Sequence, residues 1–320
     1  MSAIVTRLKG AVQVIREKTR QFGPLIAFSI AGGTYLVSCL PHTSHLDKIE
    51  WLIQYRSRGK PKELSTEERE IVSEVKKDLC KKGFSEAALN KVKVIYQDYF
   101  AGYEPWVFGS LNSKRGVLIG YPICLSFDNF EEIIVTHIGP LEVDSDSEEA
   151  DDLAKTYILN ENSKKFLLAR EIYLADSNYF HVKAGFLSSA VLLSYLTGKG
   201  LNEFLFGFQR RLSLLYLGIL PFILYINVSL FDRYTFNREI AANQAVANIS
   251  KDYAEGGLHL YTQTIARNKM FRHLMGPYKE KIFTVGGNRK YMFWRTSHVP
   301  FTKCRDDLDL LVATKYESKS

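Results

Sequence analysis

The residues that could bind a metal or act as nucleophiles are few and scattered in this 320-residue chain. The cysteines share no CxxC or paired spacing; they are Cys39, Cys80, Cys124 and Cys304. His42 and His45 have a His-x-x-His spacing, but two imidazoles alone beside an apolar segment are more typical of a membrane interface than of a metal site. The sequence has no Gly-rich phosphate loop and no Gly-x-Ser-x-Gly motif. Spacing alone therefore predicts no catalytic residue, no metal site and no cofactor.

The elements that must position these residues are organised around Leu212–Phe231, twenty residues without a charged side chain. A helix of that length rises about 30 Å, the thickness of a bilayer's hydrocarbon core. Pro221 would break most soluble helices, but membrane helices tolerate proline because neighbouring groups satisfy the freed carbonyl. A buried core helix is the alternative, although such helices usually show a polar stripe. The segment is predicted to span a membrane.

A second apolar segment, Tyr179–Thr197, lies just upstream. Its single charge is Lys183, near the start, where the long stem can reach the membrane interface. The two segments together predict a transmembrane hairpin over 179–231. A hairpin returns the chain to the side it left, so the residues before and after it should share one compartment.

Small residues mark one part of the first hairpin helix. Gly185, Ser188 and Ser189 lie close together there, and small side chains let membrane helices approach closely. This group is predicted to contact either the second hairpin helix or a helix of a partner protein.

The amino-terminal region has two parts. Residues 1–21 hold five Lys or Arg and one acid around apolar residues at helical spacing, which is typical of mitochondrial targeting helices. Residues 22–41 carry no charge and predict a span in which Gly32 and Gly33 pack closely. An interfacial or re-entrant helix is the alternative.

The region between the apolar segments is predicted to be a soluble α+β domain. Ser65 to Glu68 have the capping-box pattern that begins a helix, predicted over 64–82 with one apolar face. Ala87–Phe100 repeats the apolar spacing and is predicted as a second helix. Farther along, β-branched and aromatic residues between glycines predict strands at 116–120, 122–127 and 132–138.

An acidic run over 142–152 separates these strands from the next helix, predicted over 160–175. The run holds seven acids and no base, and their alternation is similar to the start of a calcium loop. Glu149 and Lys155, however, occupy the positions that need glycine and glutamate. The run is therefore predicted to be a solvated loop.

Together these segments predict an α+β membrane protein that is mostly helical, with a transmembrane helical hairpin, an amino-terminal span and a small central β-rich region. The predicted divisions are a basic arm over 1–21, a span over 22–41, the first part of the α+β domain over 42–178, the hairpin over 179–231 and a helical second part over 232–320. The net charge is +7, but the basic excess lies beside the apolar segments, which argues against nucleic acid as a partner.

Six groups of residues, spread over nearly the whole chain, together have a family signature. They are Trp51-Leu52-x-Gln54-Tyr55 with Gly59 and Pro61, Gly120-x-Pro122, Lys165-Phe166-x-Leu168-Ala169-Arg170-Glu171, Tyr253-Ala254-x-Gly256-Gly257, Gly287-Asn288, and His298-x-Pro300-x-Thr302 with Arg305-Asp306. The chain thus resembles the transmembrane protein 177 family. The resemblance implies a multi-pass protein of the mitochondrial inner membrane. It also implies a role in early maturation of cytochrome c oxidase subunit 2, together with the small membrane chaperone that binds this subunit.

A helix with Arg170 and Glu171, the hairpin, and a helix with Glu239 follow one another in the chain. This order is similar to that of membrane zinc metallopeptidases, in which a His-Glu-x-x-His helix precedes a hairpin and a helix with a glutamate ligand. Arg170 and Leu174 replace both imidazoles, so the resemblance implies a scaffold that has lost its metal ligands. On such a scaffold Arg170 projects toward Glu239, and the two are predicted to form a structural ion pair.

The sequence therefore predicts a non-enzymatic assembly factor. The resemblance to zinc metallopeptidases implies that it is a pseudoenzyme. A membrane-bound zinc metallopeptidase-like protein, active or degenerate, is the alternative, and bound zinc would distinguish it. A transporter subunit is a further alternative, but three spans are few and only Lys183 places a charge inside one. The expected partners are newly made cytochrome c oxidase subunit 2, its small membrane chaperone and membrane lipid.

Overall fold

The computed structural model describes residues 22–98, 104–125, 147–206, 212–274, 280–292 and 295–317. Within these ranges the chain is mostly helical with small sheets, which confirms that part of the predicted fold class. The predictions for the basic arm, for the strand at 132–138 and for the first part of the acidic run fall outside the described residues.

The chain divides into two compact units. The helical unit comprises the described residues up to Leu40 together with Phe180–Phe231. The mixed unit comprises the described residues of Pro41–Tyr179 and Asp232–Ser320 and holds the described strands. The mixed unit is thus built from two separate stretches of the chain.

The elements are numbered in chain order. The helices are α1 Phe22–His42, α2 Leu46–Ile53, α3 Thr66–Lys81, α4 Glu86–Leu89, α5 Glu148–Lys155, α6 Glu161–Ala175, α7 Tyr179–Phe206, α8 Leu212–Ala247, α9 Lys251–Leu274 and α10 Phe301–Leu311. The strands are β1 Arg56–Ser57, β2 Lys60–Pro61, β3 Val92–Gln97, β4 Trp106–Gly109 and β5 Val117–Pro122.

The beginning of α3 confirms the capping-box prediction. The backbone N–H of Glu68 donates to the Ser65 hydroxyl at 3.2 Å, and the N–H of Ser65 donates back to the Glu68 carboxylate at 3.1 Å. Two of the N–H groups that a helix start leaves unpaired are thereby satisfied. Gly83, with φ +100°, follows the end of the helix in the left-handed region that glycine favours.

The prediction of a helix over 87–100 is wrong, because only Glu86–Leu89 is helical and Val92–Gln97 forms β3. Its side chains alternate between faces: Tyr96 packs into the main core, whereas Ile95 packs with Ile53 on the other side. Strand β3 pairs in parallel with β5, which is central in the sheet order β3-β5-β4. Pairing with a distant strand therefore overrides the local helical spacing.

Strand β5 confirms the prediction at 116–120 and extends it to Pro122. A strand over 122–127 is not formed in the described part, since Ile123–Leu125 is a 3-10 turn. The end of the acidic run is also not a loop: Ser147 caps α5, and its hydroxyl accepts from the Ala150 N–H at 3.1 Å. Acids in a first helical turn favour a helix because they complement its dipole.

Two glycines of α9 allow a close contact with α6 in the mixed unit. A Cβ on Gly256 would lie 2.3 Å from the backbone oxygen of Asn162, and one on Gly257 would lie 2.6 Å from the ring of Phe166. Helices α6 and α9 therefore approach backbone to backbone. The predicted helix at 160–175 is confirmed as α6, and the Asn160 side chain caps it.

The helical unit brings α1, α7 and α8 together. The Tyr35 hydroxyl of α1 lies 2.8 Å from the His181 ring of α7. Helices α7 and α8 run antiparallel: the Ser189 hydroxyl lies 3.0 Å from the Asn227 side-chain oxygen, and the rings of Phe186 and Phe231 pack 5.7 Å apart.

Among the described residues, α1 is the one helix with the length and apolar composition to cross a membrane. Many of its large apolar side chains are exposed in the chain alone; they include Leu25, Phe28, Leu36 and Val37. Pro221 lies inside α8, as expected of a membrane helix. That α7 and α8 also cross the membrane, and that the protein is multi-pass, stay predictions.

Candidate functional site

A cavity of about 180 Å³ lies in the mixed unit. It is lined by α6, by the end of α8, by α9, and by the segment that leads into α10. Its wall includes several side chains that carry charge or hydrogen-bonding groups; among them are Arg170, Glu171, Glu239, Tyr261, Arg267, His298 and Cys304. Buried charges are costly unless they are paired, so the partners of each decide what the site can do.

Arg170 projects from α6 into a network of side chains. Its Nε donates to the Asn243 side-chain oxygen at 2.9 Å, and its terminal nitrogen pairs with the carboxylate of neighbouring Glu171 at 2.5 Å. The Tyr261 hydroxyl donates to the same Asn243 oxygen at 2.9 Å. The Asn243 amide in turn donates to the Cys304 sulfur at 3.3 Å. Three helices, α6, α8 and α9, and the start of α10 are joined through this one network.

Glu239 is buried on α8, and its partners come from the segment that leads into α10. Its carboxylate lies 2.5 Å from Nδ1 of His298 and accepts from the Val299 backbone N–H at 2.9 Å. Burial alone would raise the pKa of Glu239, but the hydrogen bond from His298 and the nearby Arg170 charge lower it. The same hydrogen bond raises the pKa of His298, although its ring is 48% exposed. The Glu239–His298 pair fastens the segment before α10 to α8.

The predicted ion pair between Arg170 and Glu239 is replaced by two others. Both side chains line the same cavity, and the Arg170 charge acts on the Glu239 carboxylate. Their direct ion pairs, however, go to Glu171 and to His298. The correction has a local cause: Glu171 follows Arg170 directly on α6, and the segment that carries His298 covers Glu239.

His298 and Asn243 are the members of this site that the sequence predictions missed as partners. His298 was recognised only as part of a family motif. Asn243 lies four residues after Glu239 on α8, so the two lie on the same helix face. That spacing could have placed Asn243 beside the cavity.

The similarity to membrane zinc metallopeptidases is limited to the carboxylates of Glu171 and Glu239. Arg170 and Leu174 line the cavity where that resemblance would place imidazoles. In the described ranges no group of three or more His, Cys, Asp or Glu side chains could hold a metal ion. Burial raises the pKa of the Cys304 thiol to about 11, so at neutral pH it is the protonated form, which is a poor nucleophile. Arg170 thus pairs with Glu171, and Glu239 pairs with His298, inside the cavity.

The three small residues predicted to form a packing face in α7 have different surroundings. Ser189 contacts the second hairpin helix through Asn227. The Ser188 oxygen is buried but has no hydrogen-bond partner among the described residues. A Cβ on Gly185 would meet nothing within 4 Å. Of the three, Ser189 is therefore the one with a described hydrogen bond between the two hairpin helices.

Helix α1 has the length and composition of a membrane span, and the mixed unit holds the cavity with its paired charges. These features are those expected of a membrane protein with a folded domain outside its spans. The family model described as "Transmembrane protein 177" matches residues 50–296. The chain belongs to the transmembrane protein 177 family.

Curated relatives agree with this assignment. The chain is 25% identical to Transmembrane protein 177 of Mus musculus over 274 residues, which cover 81% of this chain and 83% of the relative. It is 26% identical to that of Xenopus laevis over 300 residues, covering 89% and 91%. The match to the Homo sapiens protein is 25% over 278 residues, covering 81% and 83%. No solved structure matches the chain.

Proposed function

We propose that this protein is a non-enzymatic assembly factor of the mitochondrial inner membrane. In this proposal it supports early maturation of cytochrome c oxidase subunit 2, together with the small membrane chaperone of that subunit. Membership of the transmembrane protein 177 family carries the proposal, because that is the role the family resemblance implies. The basic, acid-poor residues 1–21 support the mitochondrial location.

The helical unit supports a role in binding membrane partners. Several large side chains of α1, α7 and α8 are exposed in the chain alone; they include Phe28, Val37, Leu196, Phe222 and Leu230. Membrane helices associate through close packing and interhelical hydrogen bonds. The open space at Gly185 gives a partner helix room for close packing.

The mixed unit supports a non-enzymatic role. Its cavity holds Glu171 and Glu239, the two carboxylates that a peptidase would use, but each already has a partner in the same chain, Arg170 and His298 respectively. These partners compete with a metal ion or a substrate for the carboxylate oxygens.

The proposal is tested by pulse-labelling mitochondrial translation products in cells that lack the protein and express either the wild type or a variant. Recovery of labelled subunit 2 with the tagged wild type is the expected result. Gly185→Leu should reduce that recovery, whereas Gly200→Leu, on the same helix and equally open, is the matched control. Equal recovery with both variants would remove Gly185 from the partner face, and no recovery with the wild type would contradict the function.

Elemental analysis of the purified wild type separates the proposed function from a working zinc peptidase. We expect no stoichiometric zinc after purification in zinc-containing buffer. Zinc near one equivalent, lost in Glu239→Gln, would overturn the non-enzymatic role.

A further inference from the structure

Helix α2 and the hairpin of β1 and β2 form an exposed surface that the proposed function does not use. We call it the basic aromatic surface and define it by Trp51, Leu52, Arg56, Arg58 and Lys60. Trp51 is 67% exposed and Leu52 is 53% exposed, whereas Ile53 on the opposite face of the helix is fully buried. The helix is therefore amphipathic, and its outer face carries large apolar side chains.

The basic side chains of this surface are arranged by a tight turn. Strands β1 and β2 pair through Ser57 and Lys60, so the turn consists of Arg58 and Gly59. Both have positive φ, +51° and +79°, as a two-residue type I′ hairpin requires. Residues 56–62 contain four Lys or Arg and no acid.

One contact joins the aromatic and basic parts. The guanidinium of Arg56 lies over the Trp51 ring, 4.9 Å from its centroid, within the range of a cation–π interaction. The acids nearest in the chain are paired with bases elsewhere: Glu50 with Lys93 at 2.6 Å, and Glu63 with Arg69 at 2.6 Å. The surface therefore presents net positive charge beside exposed apolar groups.

The chain also limits how far this surface can lie from the membrane. Helix α1, the candidate span, ends at His42, and α2 begins at Leu46. Four residue steps extend the chain by about 14 Å at most, and the helical residues from Leu46 to Trp51 add about 8 Å. Tryptophan is enriched where membrane and water meet, and an amphipathic helix with basic neighbours binds anionic lipid surfaces.

We propose that the basic aromatic surface docks on an anionic phospholipid bilayer, with Trp51 and Leu52 among the headgroups and the β1–β2 hairpin facing lipid phosphates. The proposal does not depend on the assembly role, since it needs only a membrane beside α1. It makes the surface a lipid-binding site at the start of the mixed unit.

The test uses the full chain reconstituted in phosphatidylcholine vesicles with or without phosphatidylglycerol. Trp106→Phe and Trp294→Phe leave Trp51 as the single tryptophan, and its fluorescence is quenched either by acyl-chain-brominated lipid or by aqueous acrylamide. We expect shallow bromines to quench Trp51 more strongly than deep ones in the anionic vesicles, because an interfacial helix inserts only about 5–10 Å.

The control carries Trp51→Phe in addition to the other two replacements, with Leu310→Trp as its only tryptophan. Leu310 is 65% exposed on α10, and there acrylamide should quench and bromines should not.

The charge requirement is tested in the same single-tryptophan protein. Arg58→Asn removes a charge with a residue that tolerates positive φ, and Lys60→Gln removes a second exposed charge. The double variant should lose lipid quenching in anionic vesicles, and added salt should weaken quenching of the parent protein. Unchanged quenching would overturn the role of anionic lipid. If acrylamide quenches Trp51 freely and brominated lipid does not, lipid docking is overturned altogether. The surface would then be open for a protein partner.

Discussion

Two groups of glycines, one in each unit, have opposite surroundings. In the mixed unit, a Cβ on Gly256 or Gly257 would collide with α6. In the helical unit, a Cβ on Gly32, Gly33 or Gly185 would meet no described atom within 4 Å, so the predicted close packing at Gly32 and Gly33 has no partner within the described chain. The first group is consumed by contacts inside the protein. The second group leaves room for a helix from another molecule.

The polar contacts inside the two units also differ. The mixed unit buries charges and pairs them, as at Arg170 and Glu171, whereas the α7–α8 contact uses the neutral groups of Ser189 and Asn227. Changes in the mixed unit should therefore affect its folding, and changes in the helical unit should chiefly affect its associations.

The largest effect is expected at the buried charges. Arg170→Ala leaves Glu171 buried without its cation, which should lower the free energy of unfolding of the mixed unit by about 3–5 kcal/mol. The rate of labelling of the buried thiol of Cys124 in increasing denaturant measures this, with the labelled residue identified by mass spectrometry.

The control for this substitution is Arg69→Ala. Arg69 forms an exposed pair with Glu63, and its loss should change the free energy of unfolding by less than about 1 kcal/mol. The double change Arg170→Ala with Glu171→Ala should cost less than the sum of the single changes. Strict additivity would show that the two residues are not coupled.

A smaller effect is expected at the helix contact. Gly256→Ala forces α9 away from α6 and should cost about 1–3 kcal/mol by the same labelling measurement. Gly286→Ala is the control within the mixed unit, because its Cβ would meet its nearest atom at 3.7 Å. Gly185→Ala should leave stability unchanged. Equal losses at all three positions would break the contrast between the units.

The pH dependence of the Glu239–His298 pair should be smaller still. His298 has a raised pKa, so its contribution to stability is complete below its ordinary value of 6.5 and is lost as pH rises through the raised value. Glu239 has a lowered pKa, so its contribution is complete above 4.5 and is lost as pH falls through the lowered value. The pair should stabilise the unit most between 4.5 and 6.5.

The measurement compares the wild type with His298→Asn. Raising the pH above 6.5 should lower the free energy of unfolding more in the wild type, by less than about 1 kcal/mol because the ring is half-exposed. Parallel pH profiles of the two proteins would contradict a stabilising charge on His298.

The smallest effect is expected in the helical unit. Ser189→Ala removes one side-chain contact between α7 and α8, and such contacts in membranes contribute about 0.6 kcal/mol on average. Asn227→Ala should give a similar value, and the double change should cost no more than either. Thermal unfolding in detergent followed by loss of helix signal measures it. A loss as large as that of Arg170→Ala would show that the helical unit also depends on buried polar pairs.

Local signals in the sequence predicted α3 and α6 correctly, because a capping box and an Asn cap act within a few residues. They fail at β3, where pairing with β5 decides the structure, and at α5, where an acidic run predicts a loop but its last part begins a helix. At the site, the resemblance to membrane zinc metallopeptidases predicts that Arg170 and Glu239 face each other, and both line one cavity. It could not supply their partners, because His298 reaches Glu239 from 59 residues farther along the chain, a contact that only the tertiary fold sets.

The mixed unit is assembled from stretches on both sides of 180–231, and this has a consequence for biogenesis. Helix α6 precedes the helical segment and α9 follows it, yet they share the tight contact at Gly256. A chain whose two halves ended on opposite sides of the membrane could not close this core, and each half would expose apolar surface to chaperones and proteases. If 180–231 crosses the membrane as the predicted hairpin, we therefore expect misinserted chains to be degraded faster than correctly inserted ones.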